Sequence, residues 1–449
     1  MTVDSRDTSP TPEPSAAAAV EWSFETKQIH AGAQPDPATH ARATPIYQTT
    51  SFVFRDTQHG ADLFNLVEPG NIYSRITNPT QDVLEQRLAA LEGGVAAVAF
   101  ASGSAATTAA ILNLAGAGDH VVASPSLYGG TYNLFNSTLP KLGVRVTFVA
   151  DQDDLGAWRD AVRPETKLFF AETLANPGGN VLDVRGVADV AHEAGVPLVV
   201  DNTVPTPYLL RPIEHGADVV VHSATKYLGG HGTTIAGVVV DGGTFDFGMF
   251  PERFPGFVEP DPSYHGLRYW ETMGPGAYAT KLRLQLLRDT GAAIAPLNAF
   301  LILQGVETLS LRMERHVANA QALAEWLEGR EEVERVHYAG LPSSPFNARA
   351  RGYLPRGAGA VVSFELHGGV EAGRAFVDGT ELFSHLVNIG DVRSLIAHPA
   401  STTHSQLGPE EQLASGVTPG LVRLAVGLEH IDDLRADLEA GFRAAKARR

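Results

Sequence analysis

The sequence predicts an α/β protein in which a large domain holds a mostly parallel seven-stranded sheet and a smaller α+β domain follows it. Seven short apolar runs, most of them valine-rich and bounded by turn residues, recur between residues 96 and 243, the pattern of βα units around buried strands. A stripe of Leu309, Met313, Val317, Ala320, Ala324 and Leu327 then marks one face of a long amphipathic helix that opens a second region. The 449 residues also exceed what one small core organises.

Taken in chain order, residues 1–21 are rich in Pro, Ser, Thr and Ala and lack the basic and apolar regions of a secretory signal. They read as a disordered tail. Asn78-Pro79 supplies a helix cap and a first-turn proline, Leu84, Leu88 and Leu91 recur at helical spacing, and Gly93-Gly94 closes the element. The seven runs follow: AAVAFAS (96–102), HVVAS (120–124), VRVTFVA (144–150), KLFFAET (167–173), PLVVDNT (197–203), ADVVVHS (217–223) and IAGVVVDGG (235–243). Their length and valine content favour strands over pieces of buried helix. Residues 244–295 are rich in Phe, Pro and Gly and read as an ordered loop excursion covering a cleft. In the C-terminal region, AVVSFELHGG (360–369) and LVRLAVGLE (421–429) predict strands, and 430–447 a closing helix.

Composition narrows the function classes. A net charge of −17 opposes nonspecific binding to nucleic acid or anionic membranes. The absence of cysteine excludes disulfides, thiolate zinc sites and cysteine nucleophiles. Without an apolar stretch of about 18 residues or more, no transmembrane helix is expected, and the cytoplasm is the predicted compartment.

In open α/β sheets ligands gather at the carboxyl ends of strands, and several predicted strands end in polar residues. ASGSAA, with Gly103 and Ser104, places small residues before a helix, where backbone amides face an anion. Asp201 follows the apolar PLVV, where an unpartnered carboxylate is costly. Lys226, in VHSATKYLGGHG, ends the next strand, between Ser223, Thr225 and a run of glycines. A lysine and an acid at neighbouring strand ends, near a phosphate-binding turn, match the needs of pyridoxal phosphate. The lysine forms an imine with the aldehyde, and the acid keeps the pyridine nitrogen protonated. Gly229 and Gly230 would let the chain turn away without crowding the cofactor.

HSATKYLGGHG resembles the cofactor-lysine segment of the Cys/Met-metabolism family of pyridoxal-phosphate enzymes. YSRITNPT (73–80), ASGSAA (101–106), LYGGTYNLF (127–135), ETLANP (172–177), VVDNT (199–203), AHPASTTHSQL (397–407) and VRLAVGLE (422–429) match family motifs in family order. The resemblance implies the type I aminotransferase fold and a homotetramer of catalytic dimers. The chain then divides into the tail (1–21), an arm serving the neighbouring subunit's site (22–77), the cofactor domain (78–300) and the C-terminal domain (301–449). It further implies Lys226 as the Schiff-base lysine, Asp201 at the pyridine nitrogen and Tyr128 stacked on the ring. Gly103, Ser104, Ser223 and Thr225 would form the phosphate cup, with Asn176 near the phenolic oxygen. Tyr73 and Arg75 would reach the neighbour's phosphate, and Arg423, assisted by Ser394, would grip the substrate α-carboxylate. His398 and His404 lack zinc spacing and a completing ligand, and the family places their segment along the active site instead.

The resemblance implies replacement or elimination at Cβ or Cγ of sulfur amino acids and activated homoserines. The excursion GMFPERFPGFVEPDPSYHGLRYWE resembles that of the O-acetylhomoserine sulfhydrylases. It implies conversion of O-acetyl-L-homoserine and sulfide to L-homocysteine and acetate, with methanethiol giving methionine as a side reaction. The same excursion is expected to choose leaving group and nucleophile. Cystathionine γ-synthase, O-succinylhomoserine sulfhydrylase and methionine γ-lyase are the neighbouring alternatives. A catalytically silent scaffold conflicts with the complete Lys226, Asp201 and Arg423 set. A nicotinamide dehydrogenase conflicts with the absence of G-x-G-x-x-G after the first strand.

Overall fold

The first predicted helix forms as its local signals dictate. In the computed structural model, which describes residues 22–447 apart from 404, 407, 409, 411 and 413–415, it spans Pro79–Glu92. The Asn78 side chain accepts the Thr80 N–H, and Gly93 ends the helix at φ 81° in the left-handed region. The 1–21 tail and His404 lie outside the described residues.

All seven apolar runs become strands of one sheet: β1 (Ala96–Phe100), β2 (His120–Ala123), β3 (Arg145–Phe148), β4 (Thr166–Glu172), β5 (Leu198–Asp201), β6 (Val219–His222) and β7 (Gly237–Asp241). Their spatial order is β1-β7-β6-β5-β4-β2-β3. Strands β2 to β6 run parallel, while β7 is antiparallel to both of its neighbours. The central strands are buried along nearly their whole length, which explains their unbroken apolar reading. In register, Glu172 of β4 faces Asp201 of β5, and Asp201 faces Val221 of β6, so three strand ends finish level.

A second sheet has the order β10-β11-β12-β9-β8, with β8 (Val333–His337), β9 (Val361–Leu366), β10 (Ser384–His385), β11 (Leu395–Ala397) and β12 (Leu421–Ala425). Sequence predicts only β9 and β12 here. The VERVH of β8 is largely polar and half-exposed, and β10 and β11 are too short to show a period. The helix Leu309–Glu328 buries Leu309, Met313, Ala320, Ala324 and Leu327 as predicted, with Val317 half-buried. The same face also buries Arg312, whose guanidinium donates to the carbonyls of Tyr227 (2.7 Å), Leu228 (3.2 Å) and Gly305 (2.8 Å). That ties the helix to the chain just past Lys226. No described helix is long and apolar enough to cross a membrane.

The excursion differs from its expectation. Rather than a cleft-covering loop, it contains helical segments at Tyr269–Met273, Ala277–Lys281 and Leu282–Leu287 and an aromatic core. Phe247 stacks on Phe257 at 3.9 Å between centroids, and Phe245, Phe254 and Tyr278 surround them. Lys281 is buried over the Phe257 ring and donates to the Asn113 carbonyl at 2.9 Å. So much aromatic surface is stable only when packed inward.

Asp241, at the end of β7, accepts the amides of Ala279 (2.9 Å) and Gly243 (2.9 Å), joining the sheet to this excursion. Burial pushes its carboxyl up to about 7. A carboxyl raised in the folded state stabilises fully below its unfolded range, about 4, and loses that contribution as pH rises through about 7. Asp241→Asn is therefore expected to flatten the fall in stability between about pH 4 and 7, read from thermal midpoints against pH.

Candidate active site

A cleft of about 270 Å³ opens at the level ends of β4, β5 and β6, where a parallel sheet gathers ligands. After β1, the Ser102 side chain accepts the Ala105 N–H at 3.1 Å and caps the helix Gly103–Leu112. The first amides of that helix have no intrahelical acceptor, so Gly103 and Ser104, which line the cleft, present N–H groups there. Glycine is required at 103. A Cβ would lie 2.6 Å from the Ser223 Cβ, so the turn packs directly on the end of β6.

Lys226 follows on the turn after β6 and is half-buried in the cleft. Its Nζ donates to the Asn388 side-chain oxygen. Burial, reinforced by the Arg423 guanidinium, lowers its pKa. Asp201 ends β5, and its Oδ1 accepts the Thr203 amide at 2.9 Å. Burial raises its carboxyl. Beside it, Glu172 is pushed well up, first by burial and then by the Asp201 charge. Glu172 accepts the Tyr128 amide and so fixes the start of the segment carrying that exposed ring.

Ser223 and Thr225 also line the cleft. The Ser223 amide donates to the Thr203 hydroxyl at 2.8 Å, and the Thr225 hydroxyl bridges the backbone N–H and C=O of Ala236. Arg423, in β12, enters from the second sheet and donates to the Asn388 carbonyl at 3.3 Å. Its Nε and the Asn176 Oδ1 are buried without a hydrogen-bond partner, although both residues line the cleft.

Three predicted residues stand elsewhere. Tyr73 and Arg75 line a separate groove with residues 48–50, Ala293 and Ile294, and Arg75 donates to the Arg288 carbonyl. Ser394 does not line the cleft: it is fully buried, donating to Glu429 (2.8 Å) and accepting from the Gly427 amide (2.8 Å). Its one O–H is thus spent on Glu429. None of residues 244–295, and none of the described residues of 397–407, lines the cleft. The excursion packs on its own aromatic core. His398 spends its ring nitrogens on Ser401 (2.7 Å) and the Pro419 carbonyl (2.9 Å). The glycines after Lys226 answer to packing rather than to a ligand: a Cβ at Gly229 would meet Ile302 at 2.9 Å, and one at Gly230 the Arg312 guanidinium.

Sequence reasoning missed Asn388, Glu172 and Thr203. Glu172 was findable, since it ends an apolar run just as Asp201 does. Asn388 sits in a loop without periodic signal, and only the fold brings it to Lys226.

This donor set fits pyridoxal phosphate. It offers an amine of lowered basicity, an acid at the cleft floor, a capped helix N-terminus and two buried polar atoms awaiting partners. A family model described as Cys/Met metabolism PLP-dependent enzyme matches residues 25–443. The chain belongs to that family, and its cofactor is pyridoxal 5′-phosphate.

Among its relatives, the O-acetyl-L-homoserine sulfhydrylase of Leptospira meyeri is 56% identical over 428 residues, covering 93% of this chain and 96% of the relative. The homocysteine synthase of Schizosaccharomyces pombe is 54% identical, covering 94% of this chain and 98% of its own. A crystal structure of a putative O-acetylhomoserine (thiol)-lyase from Campylobacter jejuni, containing N′-pyridoxyl-lysine-5′-monophosphate, superposes with a TM-score of 0.90. It is 40% identical and covers 94% of this chain and all of that one.

Gly103→Ala is expected to weaken cofactor affinity about 10-fold or more, because overpacking of one to a few kcal/mol must displace the Ser223 turn. An absorbance titration of the apoprotein with pyridoxal phosphate measures it.

Proposed function

We propose that this chain catalyses γ-replacement on O-acetyl-L-homoserine, with sulfide displacing acetate to give L-homocysteine. The observation that carries this reading is the convergence of Lys226, Asp201 and Arg423 on one cleft at level strand ends. The names of relatives at more than half identity, sulfhydrylase and homocysteine synthase, support the substrate.

Lys226 anchors the cofactor between turnovers. Asp201 would partner the pyridine nitrogen, Tyr128 would cover the ring, and Asn176, which lines the cleft, would donate a side-chain N–H to the phenolic oxygen. The amides of Gly103 and Ser104, with Ser223 and Thr225, hold the phosphate. Bound pyridoxal phosphate supplies an aldehyde that condenses with amines and a ring that accepts electrons as protons leave the substrate. Lys226, once its amine is free, moves protons off Cα and then Cβ, acetate departing from Cγ as the second is lost, and returns one to each carbon after sulfide has added at Cγ. Burial and the Arg423 charge suit it to this role by weakening its hold on a proton. Asn388 keeps the free amine in the cleft through its hydrogen bond to Nζ. Arg423 receives the α-carboxylate on its planar fork.

The same reading assigns 22–77 as an arm, 78–300 as the cofactor domain and 301–449 as the C-terminal domain, in a cytoplasmic homotetramer of catalytic dimers. Tyr73 and Arg75, away from their own chain's cleft, would complete the neighbour's phosphate site.

Two tests follow from these roles. Purified Lys226→Ala should lack the yellow absorption of lysine-bound pyridoxal phosphate and form no homocysteine from O-acetylhomoserine and sulfide; retained colour and turnover would remove Lys226 from its role. Mixing inactive Lys226→Ala with inactive Arg75→Ala subunits under exchange should restore activity, since one composite site then holds both intact residues. No recovery despite exchange would place Arg75 outside a shared site.

A further inference from the structure

None of the 244–295 excursion lines its own chain's cleft, so within one chain the leaving group meets other residues. Asn388 points to them. Its side chain accepts from Lys226 Nζ, and its carbonyl accepts from Arg423 at 3.3 Å. A substrate whose carboxylate reaches Arg423 while its Cα comes within reach of Lys226 therefore lies along residues 387–389. That segment is rigidly seated. Gly390, at φ +76°, packs so closely that a Cβ would meet the Lys226 carbonyl carbon at 2.8 Å, and the Val392 amide donates to the Gly230 carbonyl at 2.9 Å.

Ile389 is 7% exposed, but Val387 is 54% and Ile235 61% exposed, and all three line the cleft. Within one chain Val387 and Ile235, two branched apolar side chains, are left uncovered, unused by the core. The charged residues lining the cleft, among those described, are Glu172, Asp201, Lys226 and Arg423. The two acids form the floor, and the two cations are engaged at Cα and the α-carboxylate. No further cation faces the mouth among these residues.

We propose that Val387 and Ile235 form an uncharged seat for the acyl group leaving Cγ, so that the cleft selects uncharged acyl esters of homoserine over those bearing a second carboxylate. The proposal rests on the γ-replacement reading. A methyl or short alkyl group gains by covering these side chains. A carboxylate in the same place must shed water against apolar surface with no unengaged cation among this chain's cleft residues to pair it, the neighbour's Arg75 being committed to the phosphate, and that is heavily penalised.

The test uses the cofactor-loaded protein with sulfide and three esters of L-homoserine: acetyl, butyryl and succinyl. Butyryl matches succinyl in carbon count but carries no charge. Wild type should turn over the butyryl ester within about 10-fold of the acetyl ester and reject the succinyl ester by about 100-fold in kcat/KM. Val387→Arg and Ile235→Arg should each raise the succinyl-to-acetyl ratio about 10-fold, chiefly through a lower KM for the succinyl ester. Rejection of butyryl and succinyl alike by an enzyme active on the acetyl ester would make size the determinant and overturn the proposal. So would equal use of acetyl and succinyl esters. A wild-type protein inert to all three would instead sink the γ-replacement reading itself. The wild-type series decides the matter even where an arginine variant fails to fold.

Discussion

The site depends on holding one lysine amine, only partly solvated, in a fixed place. The turn bearing Lys226 is clamped from three directions. Below it, Arg312 gathers the carbonyls of Tyr227, Leu228 and Gly305, and burial lowers its pKa to about 10. Above it, Gly390 lies against the Lys226 backbone. At the side, Gly103 touches Ser223 with no room for a methyl group. Each contact comes from a different part of the chain, so the helix Leu309–Glu328, the 387–392 loop and the turn at Ser102–Gly103 share one junction. Glycine appears where that junction leaves no space.

Beneath the junction, a second network levels the strand ends. Glu92, from the first described long helix, bonds His222 at 2.6 Å and Asn202 at 3.0 Å. Asn202 also takes the Thr173 hydroxyl at 2.8 Å. Residues adjoining the ends of β4, β5 and β6 are thereby fastened to one buried carboxylate, which sets Glu172, Asp201 and Lys226 around one cleft.

Electrostatically, the cleft is complete only with its cofactor. Burial raises the carboxyls of Asp201 and Glu172 and lowers the pKa values of Lys226 and Arg423, so every charged group there bears a desolvation cost. In the proposed binding mode, a protonated ring nitrogen beside Asp201 and an anion at the helix N-terminus would oppose that cost with charge of the needed sign. The unpartnered Asn176 Oδ1 and Arg423 Nε belong to the same pattern. Such groups are tolerated where a ligand completes them.

By itself, the sequence determined the seven strands of the large sheet, the capped helix Pro79–Glu92 and the amphipathic helix Leu309–Glu328, and it singled out Lys226, Asp201 and Arg423, which the fold gathers at one cleft. These were legible because each signal is local: apolar runs have a length, helices a period, and a charge in an apolar strand stands out. Tertiary structure alone decided the rest. It made the aromatic excursion a packed element, since burial rather than composition determines whether Phe and Pro form a lid. It turned Ser394 to Glu429 and brought Asn388 to Lys226 across 162 residues of chain. It also placed Val387 and Ile235 at the mouth, because which side chains share a cleft depends on strand order and loop packing, and neither is written in any short stretch of residues.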